Sequence, residues 1–210
     1  MPFRVEGTLQ QRWGVEAGEK CFRKFSFVCD LFSTSSRLIP QLATPPLPPL
    51  APPPMSSSHC KLILLGNGSV GKTSLIARFT QDGFAKTYKQ TVGCDFFEKT
   101  LEIQGKQVKL AVWDIGGQSL ASANLPNYIM KSNVVFLCYD VTDGQSFEDV
   151  QDWLTMVERA YVAKNERDRK EAVAVGKKRF KDEPLPSIFL VGNKIDLVQY
   201  RKVSEVMHNR

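Results

Sequence analysis

Hydrophobic and polar positions divide the chain into a patternless start and a strongly patterned remainder. Residues 1 to 59 carry no sustained helical or alternating period, and seven of the ten positions from Pro45 to Pro54 are proline. Such a run favours extended polyproline or unstructured chain, so residues 1–59 are expected to be a disordered extension. From residue 60 onward the pattern changes. Lys61-Leu62-Ile63-Leu64-Leu65 is a short apolar run of buried-strand type. Leu75, Ile76 and Phe79 give the segment from Thr73 to Phe79 an apolar helical face. A strand-like stretch ends at Ile103, a turn is expected at Gln104-Gly105-Lys106, and Val108 to Trp113 alternates as a second strand. Val134 to Tyr139 and Ser187 to Gly192 are two further buried-strand runs. Between them, Tyr161 to Glu183 is rich in Lys, Arg, Glu and Asp, which favours a solvated helix or loop over core, with a partner-binding or anionic-membrane patch as the alternative.

Composition narrows the class without naming a function. The 210 residues are 42% hydrophobic and 24% charged, as in a folded domain with tails, and 28 Lys and Arg against 22 Asp and Glu give +6 without a nucleic-acid stripe. Five cysteines, at 21, 29, 60, 94 and 138, form no C-x-x-C pair, so neither a disulfide scaffold nor a zinc module is supported. Val134 to Tyr139, the longest apolar stretch, is about a third of the roughly 20 residues that a membrane-spanning helix needs.

Chemistry enters directly after the first strand, where Gly66-Asn67-Gly68-Ser69-Val70-Gly71-Lys72-Thr73 is a complete G-x-x-x-x-G-K-T motif. A glycine-rich turn between strand and helix can cradle α and β phosphates with backbone N–H groups, helped by the positive end of the helix that follows. Lys72 is expected on β and γ phosphate oxygens, and the Thr73 hydroxyl on magnesium. In Asp114-Ile115-Gly116-Gly117-Gln118, at the end of the alternating strand, Asp114 can hold magnesium, Gly117 can offer its N–H to the γ phosphate, and Gln118 can orient the attacking water. Thr91, between these motifs, can give its hydroxyl to magnesium and its N–H to the γ phosphate, ordering its loop only when the third phosphate is present. Asn193-Lys194-Ile195-Asp196 follows the last apolar run, and a carboxylate such as Asp196 accepts from N1 and N2 of guanine, a donor pair that adenine lacks.

Together these residues resemble the Ras-superfamily small GTPases, and among them the Rab family. Trp113-Asp114-Ile115-Gly116-Gly117-Gln118 stands for their W-D-T-A-G-Q, Thr91-Val92-Gly93-Cys94-Asp95-Phe96 for T-I-G-x-D-F, and Tyr139-Asp140-Val141-Thr142 for Y-D-[IV]-T. Ile115-Gly116, with Tyr88-Lys89-Gln90-Thr91 and Asp95-Phe96-Phe97, is similar to a divergent Rab subgroup. The resemblance runs from about Cys60 to Leu197 and implies a P-loop NTPase small G domain. That is an α/β fold with a mostly parallel sheet, helices on both faces, and Phe96 to Ile103 antiparallel at one edge.

It further implies GTP/GDP and Mg2+ as ligands. The nucleotide would be held by Gly66, Gly68, Ser69, Val70, Gly71, Lys72, Thr73, Ser74, Thr91, Gly117, Asn193, Lys194 and Asp196, with Phe84 stacked on guanine and the stem of Lys194 packed against it. Metal ligands would be Thr73, Thr91 and Asp114, and catalysis would fall to Gln118, Lys72 and Thr91. Phe96, Trp113 and Tyr128 match the aromatics through which Rabs present their nucleotide state to effectors. The implied activity is a GTP switch in intracellular membrane traffic. No arginine is placed to act in cis, so turnover without an activating protein would be slow, on the order of 10⁻⁴–10⁻² per second. An activating protein, an exchange factor and effectors are the implied partners, with no nucleic acid. The implied location is cytoplasmic with peripheral endomembrane association, through a lipid anchor that these residues do not include. Alternatives are a guanine-nucleotide-binding module without hydrolysis, a nonfunctional fragment and, more distantly, a phosphate-loop kinase.

Four departures from the family pattern stand out. Ser119-Leu120-Ala121-Ser122-Ala123 replaces the usual glutamate and Arg-Phe after the glutamine. Gly116 removes a side chain, from which a more mobile second switch is expected in the absence of nucleotide. The charged segment at about 161–184 is an insert of about twenty residues relative to the family's usual spacing. After Asp196 only Leu197 to Arg210 remain, without an S-A-K motif, a sixth strand, a final helix or a prenylation cysteine, so the chain reads as C-terminally truncated from 198 to 210.

Overall fold

The computed structural model describes residues 6–8, 58–81, 89–103, 105–177 and 179–208, with residues 6–8 and 81 described as backbone alone. The strands are β1 (Glu6–Thr8), β2 (Ser58–Leu65), β3 (Cys94–Ile103), β4 (Lys106–Ile115), β5 (Val134–Asp140) and β6 (Ser187–Asn193). The helices are α1 (Lys72–Gln81), α2 (Leu125–Ile129), α3 (Gly144–Glu148), α4 (Val150–Ala174) and α5 (Glu205–His208).

One sheet contains the strands in the order β1-β6-β5-β2-β4-β3. The β2–β4, β2–β5 and β5–β6 pairs are parallel, whereas β3 runs antiparallel to β4 at one edge, as expected. All seven residues of β5 are buried, because a central parallel strand is covered on both faces. Alternation along the strands sorts side chains to the two faces. Leu62, Leu64, Val112 and Phe136 meet Leu75, Ile76 and Phe79 of α1 on one face. Ile63, Leu65, Val135 and Leu137 meet Leu125 and Ile129 of α2 and Trp153, Val157 and Tyr161 of α4 on the other. The layers are therefore helix, sheet, helix.

Three boundaries differ from the sequence reading. Within the extension expected to be disordered, Glu6–Thr8 pairs antiparallel with Leu190–Gly192 of β6, and Pro45 to Pro54 lies outside the described residues. β2 starts at Ser58, because Ser58 and His59 continue its ladder to Val108 and Lys109. The charged insert is largely helix, but Tyr161, at its expected start, is core: only 2% exposed, it donates from its hydroxyl to the Ser132 carbonyl. No helix among the described residues is long and apolar enough to cross a membrane.

Candidate functional site

Carboxyl ends of β2, β4, β5 and β6 converge at one pole, the place where open α/β sheets hold ligands. The loop from Gly66 to Gly71 leaves β2 there and enters α1 at Lys72. Ser69 and Gly71 take positive φ of 62° and 97°, a sharp turn that aims the chain into the helix. At Gly71 a Cβ would lie 2.2 Å from Nδ2 of Asn193, so only glycine admits that contact. Asn193 Nδ2 then donates to the Val70 carbonyl at 2.8 Å, which ties the end of β6 to the loop. Gly68 and Ser69 are exposed, Val70 is buried, and Ser74 lies half-buried in the first turn of α1.

Lys72 is 6% exposed, and its ammonium donates to the carbonyls of Gly66 and Asn67 at 2.7 and 2.8 Å. Burial lowers its pKa, an effect that the neighbouring Cys138 and Asp114 oppose. Asp114 at the end of β4 is fully buried. Its Oδ2 accepts from Thr73 Oγ1 at 2.5 Å and from Thr91 Oγ1 at 3.4 Å, and the two hydroxyls lie 3.1 Å apart. Its Oδ1 is buried without a hydrogen-bond partner. Burial raises the Asp114 pKa against the Thr73 bond and the charge of Lys72.

This arrangement tests whether the expected ligands fit. A buried ammonium held only by carbonyls is stabilised by phosphate oxygens, and a buried carboxylate with one unmatched oxygen is stabilised by a cation. Hydroxyl and carboxylate oxygens are the donors that magnesium takes, usually together with substrate phosphates. The three expected metal ligands are thus brought together with chemistry that suits the ion.

Gly116 and Gly117 bring the segment after β4 against its neighbours. A Cβ on Gly117 would fall 2.0 Å from the Gly68 nitrogen, and one on Gly116 would fall 2.5 Å from the Thr91 carbonyl oxygen. Gln118 is exposed at the start of a 3₁₀ turn (Ser119–Ala121), and its side chain caps no backbone group. At β6 the chain turns through Lys194, whose φ is 61°, with Leu197 N donating to the Lys194 carbonyl, and Asp196 in that turn is exposed. Phe84 lies outside the described residues.

Four supporting residues were not assigned roles from sequence. Asp140, closing the all-apolar β5, holds the Lys194 ammonium at 2.6 Å and accepts from both Thr142 N and Oγ1. An acid ending a fully apolar strand was the available signal. Asn67 bridges two partners: its Oδ1 accepts from Trp153 Nε1 at 3.0 Å, and its Nδ2 donates to Asp149 Oδ2 at 2.5 Å. Trp153 carries no signal beyond that of a core aromatic. Lys61, counted only as the start of a strand, donates to the carbonyls of Tyr128 and Met130 at 2.6 and 2.8 Å and lies 4.5 Å above the Trp113 ring. It thereby braces the expected aromatic set, in which Trp113 packs edge-on to Phe96 at 5.3 Å and tilted against Tyr128 at 6.2 Å.

Residues 61–209 match the Ras family. The chain belongs to the Ras family. It is similar to Ras-related protein Rab-28 of Caenorhabditis elegans, 39% identical over 150 residues, which cover 70% of this chain and 53% of that relative. It is also similar to Ras-related protein Rab-13 of Rattus norvegicus, 37% identical over 71% of this chain and 64% of the relative. Measured against these proteins, the chain spans between half and two thirds of their length. Membership accounts for the α/β architecture and for the concentration of polar residues at one pole of the sheet.

Proposed function

We propose that this chain is a Rab-type guanine-nucleotide switch that binds GTP and GDP with magnesium and hydrolyses GTP slowly to control effector binding in membrane traffic. The observation that carries the reading is the convergence of Thr73, Thr91 and the unmatched Asp114 oxygen beside the phosphate loop. Thr73 belongs to α1 and Thr91 to the segment before β3, so a ligand shared between them links the phosphate loop to that segment. Magnesium held by these groups would supply charge neutralisation on the β and γ phosphates.

In this reading Lys72 remains ionised in its buried position because phosphate oxygens face it. Gly117 offers its N–H to the γ phosphate, and Gln118 aligns a water for in-line attack that yields GDP and phosphate. Asp196 accepts from the guanine edge, while the Asp140 pairing holds Lys194 in place for its stem to pack on the base. Release of the γ phosphate frees Thr91 and Gln118, and the exposed Phe96 beside Trp113 carries the change to a partner.

The test is binding of fluorescent GDP to the full chain, with and without magnesium and with ADP as control, followed by single-turnover GTP hydrolysis. The expected outcome is guanine-selective binding at micromolar affinity or tighter that weakens when magnesium is chelated. Asp114→Asn should abolish the response to magnesium. Equal affinity for ADP would overturn the reading, and tight GDP binding without hydrolysis would favour a binding module instead.

A further inference from the structure

α4 begins beside the phosphate loop, where Asp149 meets Asn67, and by Tyr161 it has reached Ser132 at the amino end of β5. The helix nevertheless continues to Ala174. Residues 162–174 therefore run roughly 20 Å past the amino ends of β5 and β6, at 1.5 Å per residue, on the pole opposite the candidate nucleotide site. Both ends of the following loop are pinned. The helix closes with Gly176 at φ 70°, Gly176 N on the Val173 carbonyl and Lys177 N on the Ala172 carbonyl, the paired bonds of a Schellman cap. On the return, Asn165 brackets Glu183 with two hydrogen bonds, and Arg169 holds both Asp182 oxygens at 2.9 and 3.0 Å.

Between these anchors stands Lys177-Lys178-Arg179-Phe180-Lys181. Among the described residues Lys177, Arg179 and Lys181 are exposed and form no ion pair, while the acid that follows them is engaged by Arg169. Phe180, Val173 and Val175 are 37%, 72% and 64% exposed at the same tip. Cations surrounding unburied apolar side chains at one exposed tip suit one environment best: an anionic bilayer, which attracts the charges and accepts the apolar groups between its headgroups.

We propose that the 173–181 tip is a docking surface for anionic membrane. Its position leaves Phe96, Trp113 and the phosphate loop at the pole facing away from the bilayer, so docking does not depend on which nucleotide is bound. Specificity follows from charge density and a shallow apolar insertion, not from a headgroup pocket.

The test is co-sedimentation of the full chain, with GDP and separately with a GTP analogue, with phosphatidylcholine vesicles and with vesicles that also carry phosphatidylserine. Binding is expected only to the anionic vesicles, equally for both nucleotides, and weaker at high salt. Each cation contributes about fivefold to partitioning, so the combined variant Lys177→Gln, Arg179→Gln, Lys181→Gln should lose on the order of 10²-fold. Phe180→Trp should show a blue-shifted emission on anionic vesicles. The combined variant should keep the circular dichroism of the parent, since among the described residues these exposed side chains form no ion pair. Binding to neutral vesicles, retention by the combined variant, no emission shift, or binding to RNA in place of vesicles would each overturn the proposal.

Discussion

Asn67 sits in the phosphate loop, yet its side chain faces the opposite helix layer, and removing it should cost more than a loop position ordinarily does. Asn67→Ala deletes the acceptor for the indole N–H of Trp153, a residue only 1% exposed. Stranding a buried donor costs about 1–3 kcal/mol. The second bond, to the half-exposed Asp149, where water can replace the amide, contributes less. A loss of about 2 kcal/mol should lower the melting temperature of the GDP-loaded protein by about 4–8 °C for a domain of this size. GDP concentration must be fixed and saturating, since ligand linkage otherwise moves the midpoint. The decisive assay is a double-mutant cycle with Trp153→Phe, which removes the donor and keeps most of the ring. If the reasoning holds, Asn67→Ala costs less than about 1 kcal/mol in the Trp153→Phe background, leaving a coupling of about 1–1.5 kcal/mol. Additive effects within about 0.3 kcal/mol would refute it, because the indole would then not depend on Asn67.

Acid stability should report on Asp140. Burial pushes its carboxyl up, but the Lys194 and Thr142 bonds outweigh this, so its folded pKa lies below the ordinary value. A depressed pKa stabilises the fold above the unfolded value of about 3.9 and loses that contribution as pH falls through the folded value. The stability gap between the parent chain and Asp140→Asn should therefore be flat above about pH 5 and close below about pH 4 in urea titrations; a gap unchanged at the acid end would contradict the assignment. Gly116→Ala places a methyl 2.5 Å from the Thr91 carbonyl oxygen, so Thr91 must retreat by about 1 Å at a cost of about 1–3 kcal/mol. Because Thr91 is assigned to the γ phosphate, affinity for a GTP analogue should fall by about tenfold relative to GDP, and an unchanged ratio in competition binding would remove Thr91 from that role.

Legibility in the sequence followed how local each cause is. β5 and the core of β2 were readable because burial on both faces leaves no polar residue in Leu62–Leu65 or Val134–Tyr139. The start of β2 was not, since Ser58 and His59 join the ladder through backbone bonds that carry no hydrophobic signal. Composition identified residues 161–184 as charged but could not separate Tyr161, which faces the core, from the charges that follow it. The phosphate loop, Asp114 and Asn193 were legible because their chemistry restricts residue type and spacing. Asn67, Asp140 and Lys61 were assigned no role because each acts through a partner more than fifty residues away.

Gly116 shows why a missing side chain is ambiguous until its surroundings are known. Read along the chain, glycine in place of alanine suggests freedom of the second switch. In the fold the space of the absent Cβ is taken by the Thr91 carbonyl, and Gly116 N donates to the Gly93 carbonyl at 2.9 Å. The absent side chain at Gly116 therefore lets the segments around Thr91 and Gly116 touch through main-chain atoms. The contact lies two residues before Gln118 and involves no side chain. In the proposed switch, displacement of Thr91 on loss of the γ phosphate would therefore be felt through main-chain atoms two residues from Gln118, without a side-chain relay through the replaced Ser119–Ala123 segment.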